Sequence, residues 1–209
     1  MRGIVFDLDG TLVDSYAAIA ESLNHARAGF DMPALPEEHV RCQVGRGLEA
    51  LIAALVGPDR IREGVHLFRE RYAVVYASKT HLLPGVAPTL EALNTRGFPM
   101  TVASNKPARF GEAITDALGL SAFLVSVHGP DTVGSTKPDP AMLSRCLDDM
   151  HVNAASAVYV GDMVLDVETA ARAGVPVVLV DGGSSDGNDL RATGQYCMAG
   201  LSELLELLP

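Results

Sequence analysis

After residue 84 the chain alternates amphipathic segments with short apolar ones, and this alternation restricts the possible fold more than any other feature. The pattern predicts four helices, at residues 86–96, 107–118, 140–150 and 164–173, and four strands, at residues 98–104, 122–127, 157–161 and 175–180. Regular alternation of this kind forms a parallel sheet that carries helices on both faces. We therefore predict an α/β protein.

The N-terminal part adds one strand and then interrupts the alternation. Residues 3–8 are typical of a short buried strand, and residues 15–28 of an amphipathic helix that Gly29 ends. Residues 36–81 carry apolar side chains at helical spacing, and no strand is predicted there. We predict a Rossmann-like core formed by residues 1–14 and 84–209. An all-helical cap domain, residues 15–83, is inserted into it, with hinges near residues 14–16 and 82–85.

Composition narrows the range of partners. The 209 residues carry a net charge of −10, and no run of Lys and Arg forms a basic stripe. We therefore expect neither nucleic acid nor a membrane as a partner. The longest apolar run, residues 50–56, is far shorter than the ~20 residues of a membrane-spanning helix. Three widely spaced cysteines, without a Cys-x-x-Cys pair, favour reduced thiols and a cytoplasmic location.

Polar residues follow the predicted strands at the point where each strand ends. They are Asp7 and Asp9, then Ser104 and Asn105, and then Asp162 with Asp166 one helical turn later, while Lys137 precedes a helix between the last two groups. In parallel sheets, ligands bind beyond the carboxyl ends of the strands. Each group alone also fits an ordinary turn, a helix cap or a solvated side chain. Their joint order favours a shared site.

The chemistry of these residues suits a phosphate and a divalent cation. Carboxylates close together repel one another unless a cation lies between them, and Mg²⁺ prefers such oxygen ligands. Lys137 is followed by two prolines, Pro138 and Pro140, that fix the entry into a helix, which suits a positive charge aimed at a phosphoryl oxygen. The hydroxyl and backbone N–H of Ser104 could donate to the same anion at a helix start.

The motifs resemble those of the haloacid dehalogenase superfamily, close to its phosphoglycolate phosphatase-like hydrolases with an α-helical cap. All four motifs occur in order, from Val-Phe-Asp-Leu-Asp-Gly-Thr-Leu-Val-Asp-Ser at residues 5–15 to Gly-Asp-Met-Val-Leu-Asp at residues 161–166. The resemblance covers nearly the whole chain. Two departures, Met163 in place of a small hydroxyl residue and a loop at 181–188 without an aromatic residue, put the substrate in doubt.

The resemblance implies a role for each matched residue. Asp7 would be the nucleophile that accepts the phosphoryl group, and Asp9 the general acid and base. The Asp7 carboxylate, the Asp9 carbonyl and Asp162 would bind Mg²⁺, with Asp166 acting through a water or from behind the ligands. Ser104 and Lys137 would hold the transferring oxygens. Thr11, Asn105 and, in the cap, Arg46 of Gly-Arg-Gly are candidate substrate-binding residues.

We therefore expect a Mg²⁺-dependent phosphatase that acts on a small phosphorylated metabolite, phosphoglycolate-like or a sugar phosphate, as a monomer or homodimer. Dehalogenases of the superfamily lack an acid at the position of Asp9. A phosphomutase stays open as an alternative, although that group usually has Gly-Val-Ile where this chain has Gly-Thr-Leu at residues 10–12. A signalling receiver that carries a phosphorylated Asp is a more distant one.

Overall fold

A six-stranded parallel sheet forms the centre of the molecule, in a computed structural model that describes residues 2–208. The strand order is β5-β4-β1-β6-β7-β8, and every neighbouring pair is parallel. These strands are β1 (Gly3–Phe6), β4 (Met100–Ala103), β5 (Leu124–His128), β6 (Ala157–Gly161), β7 (Val177–Val180) and β8 (Cys197–Met198). A separate antiparallel pair joins β2 (Val13–Asp14) to β3 (His81–Leu82). The α/β fold class predicted from the alternation is confirmed.

Helices connect the strands and cover both faces of the sheet. They are α1 (Tyr16–Ala28), α2 (Glu37–Arg41), α3 (Leu48–Leu55), α4 (Ile61–Val75), α5 (Val86–Thr95), α6 (Ala108–Ala117), α7 (Pro130–Val133), α8 (Ala141–Met150), α9 (Val164–Ala173), α10 (Gly187–Ala192) and α11 (Leu204–Leu207). Within residues 2–208, no helix is both long enough and apolar enough to cross a bilayer.

The central strand β1 is buried from both sides. Ile4 and Phe6 pack into one apolar cluster with α5, and Val5 packs into a second cluster with α8 on the opposite face. The strand ends at Phe6, two residues before the predicted end, because the Leu8 carbonyl accepts three backbone N–H groups that close a turn. Asp7 still donates its N–H to the Val160 carbonyl (2.8 Å), so it lies at the edge of the sheet that the carboxyl ends of the strands form.

The cap segment, residues 15–83, has its own apolar cluster, formed mainly by α1, α3 and α4. Gly29 follows α1 as predicted, but its φ is −62°, so the left-handed conformation expected of a terminating glycine is absent. The position is instead tightly packed: a Cβ there would lie 2.6 Å from the Leu67 side chain of α4. The division into core and cap domains stays a proposal, which this separate cluster supports.

Two parts of the sequence prediction were wrong. The segment 36–81 was predicted without a strand, yet His81 begins β3, which pairs with β2 where the chain enters the cap. Strand β8 and the short helices α7, α10 and α11 were not predicted. A two-residue strand or a four-residue helix is too short to produce a recognisable hydrophobic period.

Candidate active site

Asp7 lies at the carboxyl end of β1, almost fully buried. Its Oδ1 accepts the backbone N–H of Leu8 (2.7 Å), and its Oδ2 lies 2.9 Å from the Lys137 ammonium. Burial raises the pKa of Asp7 to about 6, against the lowering effect of Lys137, and the nearby Asp166 carboxylate raises it further. Without a cation beyond Lys137, ionisation of Asp7 is therefore less favourable than that of an aspartate in water.

Lys137 connects Asp7 with Asp166. Its Nζ lies 2.9 Å from Asp166 Oδ1 and 3.0 Å from the Tyr159 hydroxyl, so all three ammonium protons have protein acceptors. Burial alone would lower the pKa of Lys137, but the carboxylates of Asp166 and Asp7 outweigh it and raise the pKa. Lys137 is therefore charged and fixed in place beside Asp7.

Asp166 has no free lone pair directed at a ligand. Its Oδ2 accepts the backbone N–H groups of Asp162 (3.1 Å) and Met163 (3.0 Å), and its Oδ1 accepts from Tyr159 (2.8 Å) as well as from Lys137. These contacts fit a residue that orients its neighbours better than a direct metal ligand.

Asp162 differs because, within residues 2–208, no cationic side chain forms an ion pair with it. It is fully buried, and its donors are the Thr11 hydroxyl (3.0 Å) and the backbone N–H of Ser184 (2.6 Å), both neutral. Burial and the neighbouring Asp7 and Asp166 carboxylates raise its pKa well above the usual range. A cation would relieve this repulsion.

The acidic residues are placed to hold such a cation. One carboxylate oxygen from each of Asp7, Asp162 and Asp166 lies within 4.8 Å of the others. Because both Asp166 oxygens already accept two hydrogen bonds, Asp7 and Asp162 are the candidate carboxylate ligands. The Asp9 carbonyl accepts no backbone hydrogen bond from residues 2–208, so it is available as a further ligand. Gly10 makes this arrangement possible because its φ is +85° and a Cβ would overlap the Asp162 side chain. Hard oxygen ligands in this set fit Mg²⁺.

The Asp9 side chain belongs to a different network. Its Oδ1 accepts from the Ser15 hydroxyl and from Lys106 Nζ (2.7 Å), and Lys106 also donates to the Tyr72 hydroxyl of the cap (2.7 Å). Burial would lower the pKa of Lys106, but the Asp9 carboxylate outweighs it and raises the pKa. Lys106, Ser15 and Tyr72 were not among the predicted site residues.

Ser104 and Asn105 follow β4 as predicted, but part of their bonding capacity is already used. The Ser104 N–H donates to the His128 carbonyl (3.0 Å), so its hydroxyl alone remains to meet an anion. Asn105 accepts the Lys137 N–H (2.7 Å) and donates to the Gly45 carbonyl of the cap (2.9 Å). The structure thus places Asn105 as a link between Lys137 and the cap.

A cavity of about 80 Å³ lies where the cap faces these residues. Its polar wall contains Asp7, Asp9, Ser104, Asn105 and Lys106, together with Arg69 of α4. The remaining wall is apolar and comes mainly from the cap: Ile19, Val44, Leu48, Leu51, Phe68 and Phe110. The volume suits a phosphate with a small organic group attached.

Two predicted substrate-binding residues lie outside this cavity. Arg46 is exposed and does not line the cavity, although Gly45 and Gly47 on either side of it contribute to the wall. Thr11 is buried behind the site, where its hydroxyl donates to Asp162. Arg69, which the sequence analysis did not single out, is the arginine in the wall.

Comparison with known proteins identifies the family. A family model described as haloacid dehalogenase-like hydrolase matches residues 4–180. The phosphoglycolate phosphatase of Rhodospirillum rubrum is 37% identical over 195 residues, covering 88% of this chain and 81% of the relative. The phosphoglycolate phosphatase of Vibrio parahaemolyticus is 34% identical over 216 residues, covering 98% and 95%.

Solved structures are similar over the whole chain. A haloacid dehalogenase-like hydrolase from Streptococcus pneumoniae has a TM-score of 0.90 at 22% identity, covering 100% of this chain and 99% of that one, and shows the fold. A predicted phosphoglycolate phosphatase from Haemophilus somnus has a TM-score of 0.89 at 25% identity, covering 100% and 98%. The chain belongs to the haloacid dehalogenase-like hydrolase family, and it is a phosphoric monoester hydrolase.

Proposed function

We propose that this hydrolase is Mg²⁺-dependent and cleaves a small phosphorylated metabolite, with phosphoglycolate as the first candidate, through a phosphorylated Asp7. The observation that carries the proposal is that the two acids at the end of β1 pair with different lysines. Asp7 is held by Lys137, and Asp9, two residues later, is held by Lys106, and both acids face one small cavity.

The two acids suit two half-reactions. In the first, an Asp7 carboxylate oxygen attacks phosphorus, the bond from phosphorus to the leaving oxygen breaks, and that oxygen takes a proton from Asp9. In the second, water attacks the phosphorus, Asp9 takes a proton from the water, and the Asp7 carboxylate and phosphate are released. General acid and base catalysis of this kind is worth about 10²- to 10⁴-fold.

Negative charge on the transferring oxygens requires compensation. Lys137 and the Ser104 hydroxyl are the protein groups that we propose for it. Because Lys137 already donates to three acceptors, it would exchange the Tyr159 hydroxyl for a phosphoryl oxygen, and Tyr159 would keep its own bond to Asp166. Mg²⁺, held by Asp7, Asp162 and the Asp9 carbonyl, would supply the remaining positive charge when bound.

The cavity and the relatives support a small acidic substrate. The part of the wall that comes from the cap is mainly apolar and offers few partners for the hydroxyls of a sugar, whereas Arg69 offers a cation for a carboxylate. The named relatives are phosphoglycolate phosphatases. We further propose a cytoplasmic protein that acts as a monomer or homodimer; the three free cysteines support a reducing compartment.

The test is a panel of phosphate esters assayed with Mg²⁺ and with EDTA, using wild type, Asp7→Asn and the control Asp59→Asn, which alters an exposed acid in a turn of the cap. We expect phosphoglycolate to be the best substrate, EDTA to stop turnover, and Asp7→Asn to lower kcat by at least ~10⁴-fold. Acid quenching with labelled substrate should place the label on Asp7.

Other outcomes would contradict the proposal. Full activity of Asp7→Asn would contradict the proposed role of Asp7 as the nucleophile. Return of the label to a second hydroxyl of a sugar phosphate, in place of release as inorganic phosphate, would indicate a mutase. A stable phosphorylated Asp7 without turnover would indicate a receiver.

A further inference from the structure

Lys106 is a buried cation whose contacts are separate from those of the proposed nucleophile. Its side chain is 6% exposed, and its Nζ lies 2.7 Å from Asp9 Oδ1 and 2.7 Å from the Tyr72 hydroxyl. The other buried lysine, Lys137, serves Asp7 and Asp166. Each member of the Asp7 and Asp9 pair thus has a lysine of its own.

The contacts of Asp9 fix the orientation of its carboxylate. Ser15 and Lys106 both donate to Oδ1, and within residues 2–208 no side chain or backbone group donates to Oδ2. With one oxygen held by two donors, the carboxylate cannot rotate freely, and the second oxygen stays available at the cavity. A proton donor needs such a fixed and accessible oxygen.

Tyr72 brings the cap into this network. Its ring lies on α4, stacks on Phe68 (5.5 Å between centroids) and meets Phe110 of α6 edge-on (5.1 Å). The hydroxyl at the end of this ring accepts a hydrogen bond from Lys106. The lysine is therefore held between an acid of the core and a hydroxyl of the cap.

We propose that Lys106 is a positioning residue for Asp9, and that the Tyr72 hydroxyl holds Lys106 in that role while α4 lies against α6. The inference rests on the proposed acid–base role of Asp9. The ammonium of Lys106 is engaged by Asp9 and Tyr72, so Lys106 orients the acid. Arg69 pairs with Glu49 only at 3.6 Å and in an exposed position, so it is the cation in the wall that can turn to a substrate carboxylate.

The difference between leaving groups gives a specific test. An alkoxide leaves only when it is protonated, whereas p-nitrophenolate leaves without a proton. A poorly positioned Asp9 therefore slows ethyl phosphate much more than p-nitrophenyl phosphate. The value of kcat/KM reports only steps up to departure of the leaving group, so the later hydrolysis of the phosphorylated Asp7 does not enter the comparison.

The experiment measures kcat/KM for both esters, and for phosphoglycolate, in Lys106→Met and Tyr72→Phe. For Lys106→Met we expect the ratio of ethyl to p-nitrophenyl phosphate to fall about 10- to 100-fold, a part of what general acid catalysis is worth. For Tyr72→Phe, which keeps the ring stacking and removes one hydrogen bond, we expect a fall of about 2- to 10-fold. In Lys106→Arg, which keeps the positive charge, the ratio should return part of the way to its wild-type value.

Matched controls exist in the same chain. Lys79→Met removes the third lysine, which is partly exposed and pairs with Glu21. Tyr76→Phe removes a hydroxyl from the same aromatic cluster, and that hydroxyl makes no hydrogen bond within residues 2–208. Both controls should leave the ratio unchanged.

Three outcomes would overturn the inference. Equal losses on both esters would mean that Lys106 only supports the fold. A loss confined to phosphoglycolate would make Lys106 a receptor for the substrate carboxylate. If Lys106→Met does not fold, an unchanged ratio in Tyr72→Phe decides against the proposal. Failure of the wild type to hydrolyse phosphoglycolate or any other phosphate ester, or full activity of Asp7→Asn, would instead remove the proposed function itself.

Discussion

At the scale of single residues, the site concentrates charge of both signs within an acidic protein. Two of the three lysines of the chain, Lys106 and Lys137, are buried there among four carboxylates: Asp7, Asp9, Asp162 and Asp166. If all six groups are ionised, two negative charges are left without a partner. One divalent cation would balance them, and without it the acids must share protons.

This balance predicts that the metal-free protein loses stability as the pH rises. Burial raises the folded-state pKa of Asp7 to about 6 from 3.8, so between these values the folded state binds more protons than the unfolded state. The free energy of unfolding therefore falls with rising pH across this window, by an amount on the order of 1–3 kcal/mol. Urea unfolding in EDTA between pH 4 and pH 7 measures it.

Asp7→Asn isolates the effect from other titrating groups. Since the amide does not ionise, the difference in unfolding free energy between variant and wild type should grow in favour of the variant from pH 4 to pH 7. Parallel pH profiles for the two proteins would contradict the prediction.

At the scale of helices and strands, the sequence predicted what depends on local pattern. The predicted strand ends indicated Asp7, Ser104 and Asp162, because parallel strands bring their carboxyl ends to one edge whatever lies between them. For Lys137 the indication was its position before a helix, where two prolines follow it. The hydrogen bond between Lys106 and Tyr72 could not be predicted from the sequence, since it depends on how α4 packs against α6. The glycines on either side of Arg46 predicted a flexible turn that presents it to a substrate, but Arg46 is exposed and lies outside the cavity wall.

Packing between the cap helices gives a prediction at this scale. Gly64 is buried in α4, and a Cβ there would lie 2.6 Å from Cγ2 of Ile52, a fully buried, β-branched residue of α3. Gly to Ala inside a helix normally stabilises by ~0.5–1 kcal/mol. Here we expect Gly64→Ala to destabilise by about 1–2 kcal/mol in thermal or urea unfolding, because the branched side chain cannot move aside.

The change from a stabilising to a destabilising effect of Gly64→Ala should depend on Ile52. In an Ile52→Ala background the space is open, so Gly64→Ala should regain its usual stabilising sign, and the double-mutant cycle gives the coupling. Additive effects would show that the close approach is not the cause.

At the scale of the whole molecule, metal binding and global stability should be linked. A cation that binds the folded chain stabilises it by about 2.7 kcal/mol at one hundred times its Kd. For a chain of this size we expect Mg²⁺ at that concentration to raise Tm by roughly 5–10 °C. Thermal melts with MgCl₂, against NaCl at equal ionic strength, measure the shift, and Asp162→Asn should abolish most of it. An equal shift in both proteins would place the ion elsewhere.

The pairing of β2 with β3 has a consequence for how such proteins can diversify. Asp14 lies opposite His81 in the β2–β3 pair. The chain therefore enters and leaves the cap segment at two points that are only one strand spacing apart. A two-residue turn is enough to close that gap. Everything between these points can therefore be shortened, lengthened or exchanged while the strands beneath keep their register, so new substrates can be acquired without rebuilding the catalytic edge.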